Sequence, residues 1–180
     1  MAFSKNIQNS ECFCEGTEIL CFYNNEEQYI KIQHLKIGDF VKIYNGEPKK
    51  IIKYYQSRYK NDRTYHQICR LSNYENQTKD LYLTGGHSIL VDNLTKTEKK
   101  ETLKYWNNLM QIEDKYLLLC CVNENAKKIN DSNIYNIYHL VLENEDRNGQ
   151  YGIYANGILT ETMSLDCYED VEKKCYPLKY

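Results

Sequence analysis

The sequence predicts an all-β fold, and both its composition and its pattern of apolar residues point to one. The chain of 180 residues contains 18 tyrosines and only two prolines, a balance that suits strands better than helices. Short runs in which apolar and polar residues alternate recur along the chain, with turn signals between them. Hydrophobic residues make up 42% of the chain, which excludes a disordered protein and provides for a real core. We therefore expect one compact domain, a sandwich or an irregular barrel of many short strands.

Ten runs have the length and patterning of strands. In chain order they are 18–23, 28–32, 40–44, 49–55, 65–71, 81–84, 87–91, 117–122, 134–142 and 150–155. Asn24-Asn25 and Asn45-Gly46 stand between successive runs as hairpin turns. The run 117–122 is almost wholly apolar, which is typical of a buried strand.

Residues 95–110 depart from the β pattern. They are rich in charge and carry Leu103, Trp106 and Leu109 at roughly helical spacing. This stretch predicts a charged helix or a long surface loop inserted into the β fold. Residues 163–180 show no clear periodicity, and their role stays open.

Charge and apolar content exclude several classes of partner. The net charge is −2 with acidic and basic residues interspersed, so we expect no nucleic-acid binding. The N-terminus lacks the apolar stretch of a signal peptide, and no run approaches the ~18 apolar residues of a membrane span. We expect a monomer in a reducing, intracellular environment.

The eight cysteines do not follow a metal-binding pattern. They stand at 12, 14, 21, 69, 120, 121, 167 and 175. Cys12 and Cys14 are closer than the C-x2-4-C spacing of zinc sites, and Cys167 and Cys175 are farther apart. We expect no metal and no cofactor, and we interpret most of these thiols as small buried apolar side chains.

Three distant segments together carry the groups that acyl transfer requires. The segments are 12–19, 83–87 and 155–159. The first offers a thiol, the second a hydroxyl and an imidazole, and the third a tight turn. A thiol nucleophile and an imidazole that moves protons are what attack at a backbone carbonyl needs.

The order and spacing of these segments resemble the Hint family, which includes inteins and the autoprocessing domain of hedgehog proteins. The first segment reads Cys12-Phe13-x-x-Gly16-Thr17-x-Ile19. A second matching stretch reads Ile32-x-x-Leu35-x-x-Gly38-Asp39-x-Val41. The resemblance implies that the Cys12 sulfur attacks the carbonyl of Glu11, which yields a Glu11–Cys12 thioester and frees the α-amine of Cys12. A buried apolar thiol is the alternative for Cys12.

The stretch 80–92 resembles the T-x-x-H segment of the family. The resemblance implies that His87 donates a proton to the nitrogen of the Glu11–Cys12 bond. It implies that Thr84 holds the scissile amide or the developing oxyanion. Gly85-Gly86 predicts a tight backbone turn between two strands, with glycines free to take positive φ. A satisfied histidine beside a hairpin is the alternative for His87.

Two further positions are candidates by the same resemblance. His139 stands in the stretch 137–142 where many inteins carry an Asp, which implies a base; a core or surface histidine is the alternative. Asp39 is a candidate base or a group that orients the N-terminal region, and an ordinary turn is its alternative.

The third segment departs from splicing inteins. Asn156-Gly157 predicts a type I′ turn. After it, Glu161-Thr162 stands where a splicing intein has His-Asn, so no asparagine is placed to cyclise and we expect no splicing. The ending is closer to the non-splicing Hint domains of bacteria and large viruses.

These observations favour self-cleavage at Glu11–Cys12 through a thioester, with release by water or another nucleophile. Residues 1–11 are then an upstream flank and the substrate, 12–162 the autoprocessing domain, and 163–180 a tail. A catalytically silent Hint-like module for interaction or structure is the alternative. A thiol redox pair of Cys12 and Cys14 is weaker, since C-x-C lacks the helix N-terminus that lowers a thiol pKa.

Overall fold

The prediction of an all-β fold is confirmed. The computed structural model describes residues 11–61 and 67–175, with the backbone alone for 173–175. Within these ranges the chain forms fourteen strands, two α-helices and a short 3-10 helix (Ile32–His34), and every strand pairing is antiparallel. The strands are β1 (Phe13–Cys14), β2 (Glu18–Tyr23), β3 (Glu26–Lys31), β4 (Phe40–Val41), β5 (Lys49–Lys60), β6 (Cys69–Leu71), β7 (Leu81–Leu83), β8 (Ser88–Val91), β9 (Gln111–Ile112), β10 (Lys115–Leu119), β11 (Lys127–Lys128), β12 (Ile134–Leu142), β13 (Gly152–Ala155) and β14 (Ile158–Glu161).

The strands form one continuous sheet that mixes near and distant parts of the sequence. Its order is β11-β6-β7-β1-β12-β5-β4-β2-β13-β14-β8-β10-β9, and β3 pairs with β2 outside this path. The short strand β1 lies between β7 and β12, so the segment around Cys12 is flanked by strands from far along the chain. This placement brings the first two candidate segments together, and the pairing of β2 with β13 brings the third to the first, with Ala155 opposite Ile19.

Two of the predicted strands match the observed ones at both ends. The runs 18–23 and 134–142 are β2 and β12 with the same bounds. The run 49–55 extends to Lys60 in β5 because its partner β12 continues to Ile134 opposite Lys60. The run 65–71 is observed as β6 from Cys69, and residues 65 and 66 lie outside the described residues.

The stretch 95–110 contains a helix, α1 (Lys96–Trp106). It begins with a capping box: the Glu98 amide donates to Thr95 Oγ1 at 3.1 Å, and Glu98 Oε2 accepts from the Thr95 amide at 2.9 Å. Such a cap stabilises a helix start by about 1 kcal/mol. The sequence predicted either a helix or a long loop for this stretch. The observed capping box is one local reason why it forms a helix.

A second helix, α2 (Leu165–Cys175), lies in the segment whose role the sequence left open. It packs against β5 and β12, and the Lys53 ammonium lies 5.6 Å from the Tyr168 ring centre. The Met163 amide donates to the Leu140 carbonyl at 3.0 Å, which ties the start of the helix to β12. Neither described helix has the length and apolar character that crossing a membrane requires.

The turn predicted at Gly85-Gly86 joins two strands, but these two strands do not pair as a hairpin. Strand β7 pairs with β6 and β1, whereas β8 pairs with β10 and β14, so the two strands on either side of the glycines do not pair with each other. Both edges of β7 are already occupied, and the chain crosses from one part of the sheet to another. Neither glycine adopts a positive φ.

A tight turn nevertheless forms at this crossing. The His87 amide donates to the Thr84 carbonyl at 3.0 Å. The carbonyls of His87 and Gly85 accept from the amides of Cys120 and Cys121, each at 2.9 Å. The end of β10 thus holds the turn and fixes the position of the His87 ring.

Candidate active site

Cys12 is buried where three segments of the sheet meet. Its side chain is 2% exposed. The next residue, Phe13, is opposite Leu83 on β7 and Tyr138 on β12. In these antiparallel pairings Cys12 is therefore beside Thr84 on one side and His139 on the other. The structure thus brings together four of the predicted site residues.

Thr84 holds the amide group of Cys12. The Cys12 N–H donates to Thr84 Oγ1 at 2.8 Å, while the Thr84 hydroxyl and amide donate to the Cys12 carbonyl at 3.3 and 3.0 Å. The N–H in the first contact belongs to the peptide bond between Glu11 and Cys12. The resemblance implied that Thr84 holds either the scissile amide or the developing oxyanion. The position of its hydroxyl fits the first of these roles.

His87 is fully buried, and the Glu11 backbone carbonyl lies near enough to its ring to affect its pKa. Its ring has an exposure of 0%, and neither ring nitrogen has a hydrogen-bond partner of full geometry among the described residues. Burial lowers the His87 pKa to about 3, and the backbone carbonyl of Glu11 acts in the opposite direction. The imidazole is therefore neutral near pH 7, and it lies next to the Glu11 carbonyl.

His139 lies beside His87 in the same buried cluster. The two ring centroids are 4.9 Å apart, and the Phe13 ring contacts both histidines edge-on at 4.3 and 5.5 Å. Burial, and next the neighbouring His87, hold the His139 pKa well below its usual range.

The hydrogen bond of His139 defines which nitrogen is free. Its Nδ1 accepts from the Leu140 amide at 2.9 Å, so the neutral ring carries its proton on Nε2. In the described part of the chain Nε2 has no partner. In this tautomer the ring can donate from Nε2. To act as a base at Nδ1, it would first have to break the hydrogen bond from the Leu140 amide.

The Cys12 thiol is protonated in this environment. Burial raises its pKa well above the usual range, and the nearby charges of Glu11, Cys14 and Cys167 act in the same direction. Burial and Cys69 raise the pKa of Cys14 to about 12. A redox-active thiol needs the opposite shift, so the C-x-C redox hypothesis loses its physical basis. A nucleophilic Cys12 needs a base in contact.

Glu161 also belongs to this buried cluster. The sequence analysis considered it only as the residue that replaces the histidine of splicing inteins. Its side chain is 2% exposed, and its Oε1 accepts from the Ser88 amide at 2.7 Å. Burial raises the Glu161 pKa well above its usual range, and the adjacent Glu11 raises it further. Glu11 is half-buried, and burial raises its pKa to about 7. The sequence did carry one signal for a role of Glu161, because Glu161 stands at the position where splicing inteins have a histidine.

Asp39 lies in a turn and does not join the cluster. Its Oδ2 accepts from the Lys36 amide at 2.8 Å, and its own amide donates to the Lys36 carbonyl at 3.1 Å. Its carbonyl accepts from the Ile51 amide at 2.8 Å. These contacts match the ordinary-turn alternative, and within the described residues Asp39 forms no hydrogen bond with Cys12, Thr84 or His87.

Asn156 and Gly157 form the predicted turn between β13 and β14, with φ of 48° and 85°. The Asn156 side chain also accepts from the Glu18 amide at 2.7 Å and donates to the Asp80 carbonyl at 2.9 Å. A Cβ at Gly157 would lie 2.0 Å from the Asn76 carbonyl oxygen. This turn is a structural junction between three parts of the chain.

A surface pocket beside β1 is lined by residues other than the candidate catalytic ones. The pocket, of about 310 Å³, is lined by Cys14, Glu15, Tyr82, Ile134, Tyr135 and Asn136. It includes none of Cys12, Thr84 and His87. Among the described residues no group of three or more His, Cys, Asp or Glu side chains is arranged to hold a metal ion.

Comparisons with known proteins leave the family open. No family model matches the chain, and no curated protein matches it with significance. Among solved structures, a crystal structure of the MchDnaB-1 intein is similar, with 10% identity and a TM-score of 0.47. The match covers 84% of this chain and 98% of the intein chain.

Proposed function

We propose that this chain is a Hint-type autoprocessing domain that cleaves its own backbone between Glu11 and Cys12 through a thioester. One observation carries the proposal: Thr84 holds the amide of the bond to be cleaved, and a neutral, unpartnered His87 lies against the carbonyl of the same bond. The motif resemblance of the segments that supply these residues supports it. Splicing is not part of the proposal, because Glu161-Thr162 replaces the His-Asn pair.

The first step is the shift of the acyl group from nitrogen to sulfur. The Cys12 Sγ attacks the Glu11 carbonyl carbon; the new C–S bond forms as the C–N bond breaks. Because the thiol pKa is raised, its proton leaves only when a base accepts it in the same step. The neutral imidazole of His87 can accept that proton and pass it to the departing nitrogen, so that atoms and charge balance.

Thr84 assists this step at the nitrogen. Its Oγ1 already accepts the Cys12 N–H at 2.8 Å. As the amide becomes an amine, the nitrogen gains positive character, and the hydrogen bond to the hydroxyl becomes stronger. The contact is therefore worth more in the transition state than in the ground state, which is the condition for catalysis.

The second step is release of the upstream segment. Water or another nucleophile attacks the thioester carbonyl; with water, the C–S bond breaks and a Glu11 α-carboxylate and a Cys12 thiol result. No residue marks a sterol site, so water is the proposed nucleophile. The enzyme-like domain turns over once, because its own flank is the substrate.

The test is a fusion with a stable domain upstream of Ser10, followed by intact-mass measurement at neutral pH with and without a small thiol. We expect a mass break between Glu11 and Cys12 that a thiol or hydroxylamine accelerates. Cys12→Ala should stop it, while Cys14→Ala, the matched thiol two residues on, should leave it within about threefold of the parent rate. Release that persists in Cys12→Ala would contradict the proposal.

The silent module is the second candidate, and one observation favours it. The Cys12 thiol is buried with its pKa raised well above the usual range, which suits an inert core cysteine. This candidate predicts an unbroken fusion with every nucleophile tried, in a chain whose far-ultraviolet circular dichroism shows a folded β protein.

A further inference from the structure

We propose that Glu161 is a positioning residue for His87, and that it acts through the peptide unit that joins His87 to Ser88. In this role Glu161 fixes the backbone from which the imidazole extends, and the proton transfers stay with His87. The rate predictions rest on the proposed self-cleavage. The placement of the ring is a property of the fold and is measured separately.

The Glu161 carboxyl reaches the turn at His87 from β14. Thr160 on β14 pairs with Ile89 on β8, so Glu161 comes beside Ser88 in this antiparallel pairing. The Ser88 amide donates to Glu161 Oε1 at 2.7 Å, and Glu161 is 2% exposed. The contact is therefore buried, where water does not replace a lost acceptor.

The peptide unit between His87 and Ser88 is held at both of its polar groups. Its N–H donates to Glu161, and its C=O accepts from the Cys120 amide at 2.9 Å. A peptide unit is planar, and the Cα of His87 is one of the atoms in that plane. Because the two hydrogen bonds fix the plane from both sides, they restrict where the imidazole can lie.

The imidazole makes its own contacts mainly with other rings. Its centroid lies 4.3 Å from that of Phe13 and 4.9 Å from that of His139. Neither nitrogen of the His87 ring has a hydrogen-bond partner of full geometry among the described residues. Hydrogen bonds are strongly directional, whereas ring contacts allow a range of geometries. The hydrogen bonds of the backbone therefore carry much of the placement of this ring.

The segment that follows Glu161 holds the second histidine in a similar manner. The Met163 amide donates to the Leu140 carbonyl at 3.0 Å, and the Leu140 amide donates to His139 Nδ1 at 2.9 Å. Glu161 and Met163 thus each bond to the residue that directly follows one of the two histidines. One short segment therefore relates the two imidazoles to each other.

The test compares the parent chain with Glu161→Gln and Glu161→Leu in the fusion assay, well below the unfolding transition of each. Glutamine keeps an oxygen that accepts from the Ser88 amide, whereas leucine fills a similar volume and leaves that amide without a partner. We expect Glu161→Leu to slow cleavage about tenfold to a hundredfold, because a small displacement of a catalytic group has an effect of that size. Glu161→Gln should stay within about threefold of the parent rate.

Asn156→Ala is the matched control. Asn156 is also 2% exposed, and its Oδ1 also accepts from a backbone amide at 2.7 Å, that of Glu18. Its substitution should destabilise the fold and keep the cleavage rate within about threefold of the parent. If Glu161→Leu behaves like this control, with lower stability and an unchanged rate, Glu161 is structural and the inference is overturned. Equal slowing by Glu161→Gln and Glu161→Leu also overturns it, because the acceptor oxygen is then not the cause.

A second measurement follows the ring itself and does not need cleavage. The NMR signals of the His87 ring are recorded in the Cys12→Ala chain, alone and with Glu161→Gln or Glu161→Leu, and their loss in His87→Leu identifies them. We expect the same sharp signals with and without Glu161→Gln, and shifted or broadened signals with Glu161→Leu. If no fusion cleaves but the ring responds in this way, the positioning role stands and self-cleavage falls. Identical signals in all three chains overturn the inference whatever the cleavage result.

Discussion

The site at His87 and the junction at Asn156 are both buried and polar, but they differ in how their hydrogen bonds are used. The main-chain N–H and C=O of Asn156 bond to Glu18 and Thr78, and its side chain bonds to Glu18 and Asp80, at 2.7 to 2.9 Å. His87 has the same degree of burial, yet both ring nitrogens lack a partner among the described residues.

The contrast distinguishes structure from chemistry. A buried polar group that forms all its hydrogen bonds stabilises the fold. A buried donor or acceptor without a partner costs about 1–3 kcal/mol, and such a group is retained only when function requires it. At His87 the requirement we propose is proton transfer at the adjacent Glu11–Cys12 bond. Substitutions at the two places should therefore affect different quantities.

The largest expected effect is on cleavage. His87→Leu removes the imidazole and fills much of the same volume with an apolar side chain. We expect the cleavage rate to fall by about 10²–10⁴, the usual contribution of a positioned acid–base group. The free energy of unfolding should stay the same or rise, because a buried group without partners is gone. Single-turnover rates and urea unfolding measure both, and a large loss of stability would contradict our distinction.

The junction should show the reverse. Asn156→Ala removes the two side-chain hydrogen bonds to the Glu18 amide and the Asp80 carbonyl. We expect the free energy of unfolding to drop by about 2–4 kcal/mol, since two buried backbone groups lose their partners. Cleavage measured well below the unfolding transition should stay within about threefold of the parent. A drop in rate comparable with that of His87→Leu would place the junction in the reaction itself.

Two titratable groups beside the scissile bond, His87 and Glu11, also shape the dependence of stability on pH. The His87 pKa is lowered from 6.5 to about 3, so the unfolded chain takes up its proton first as pH falls. Stability from this group is therefore present above pH 6.5 and lost toward about pH 3. Glu11 acts oppositely, because its pKa is raised from 4.5 to about 7 and its stability is lost as pH rises through that window.

The sum predicts a maximum of stability between these two flanks. In the Cys12→Ala chain, the midpoint of thermal unfolding measured across pH 3 to 8 should be highest near pH 5 to 6. Adding Glu11→Gln should flatten the decline on the alkaline side and leave the acid side unchanged. A single decline in one direction over the whole range would show that one of the two shifts is assigned with the wrong sign.

The smallest effect is expected at Asp39, which lies in the turn rather than in the cluster. Asp39→Asn keeps an oxygen for the Lys36 amide that Oδ2 accepts at 2.8 Å. We expect the cleavage rate to stay within about twofold and the unfolding midpoint to change little. A tenfold slower reaction in the fusion assay would restore the base or orienting role that the motif resemblance implies.

The sequence by itself determined which residues can meet and most of what they form. The alternation in 18–23 and 134–142 predicted β2 and β12 with their observed bounds, because a period of two over six or more residues is a local property. The motif resemblance selected Cys12, Thr84, His87, His139 and Asp39 as one group, and the structure brings together all of these except Asp39. The Asn156-Gly157 turn was also predictable, since its positive φ angles depend on the two residues in the turn.

Only the tertiary structure decided how these pieces connect. Gly85-Gly86 carries a hairpin signal, but β6 and β1 occupy both edges of β7, and the chain must cross to another part of the sheet. The sequence presented Glu161 only as the residue that replaces a histidine, whereas the fold buries its carboxyl, which accepts from the Ser88 amide at 2.7 Å. Strand partners, burial and the pKa values that follow depend on contacts between residues far apart in the chain, and no local pattern contains them.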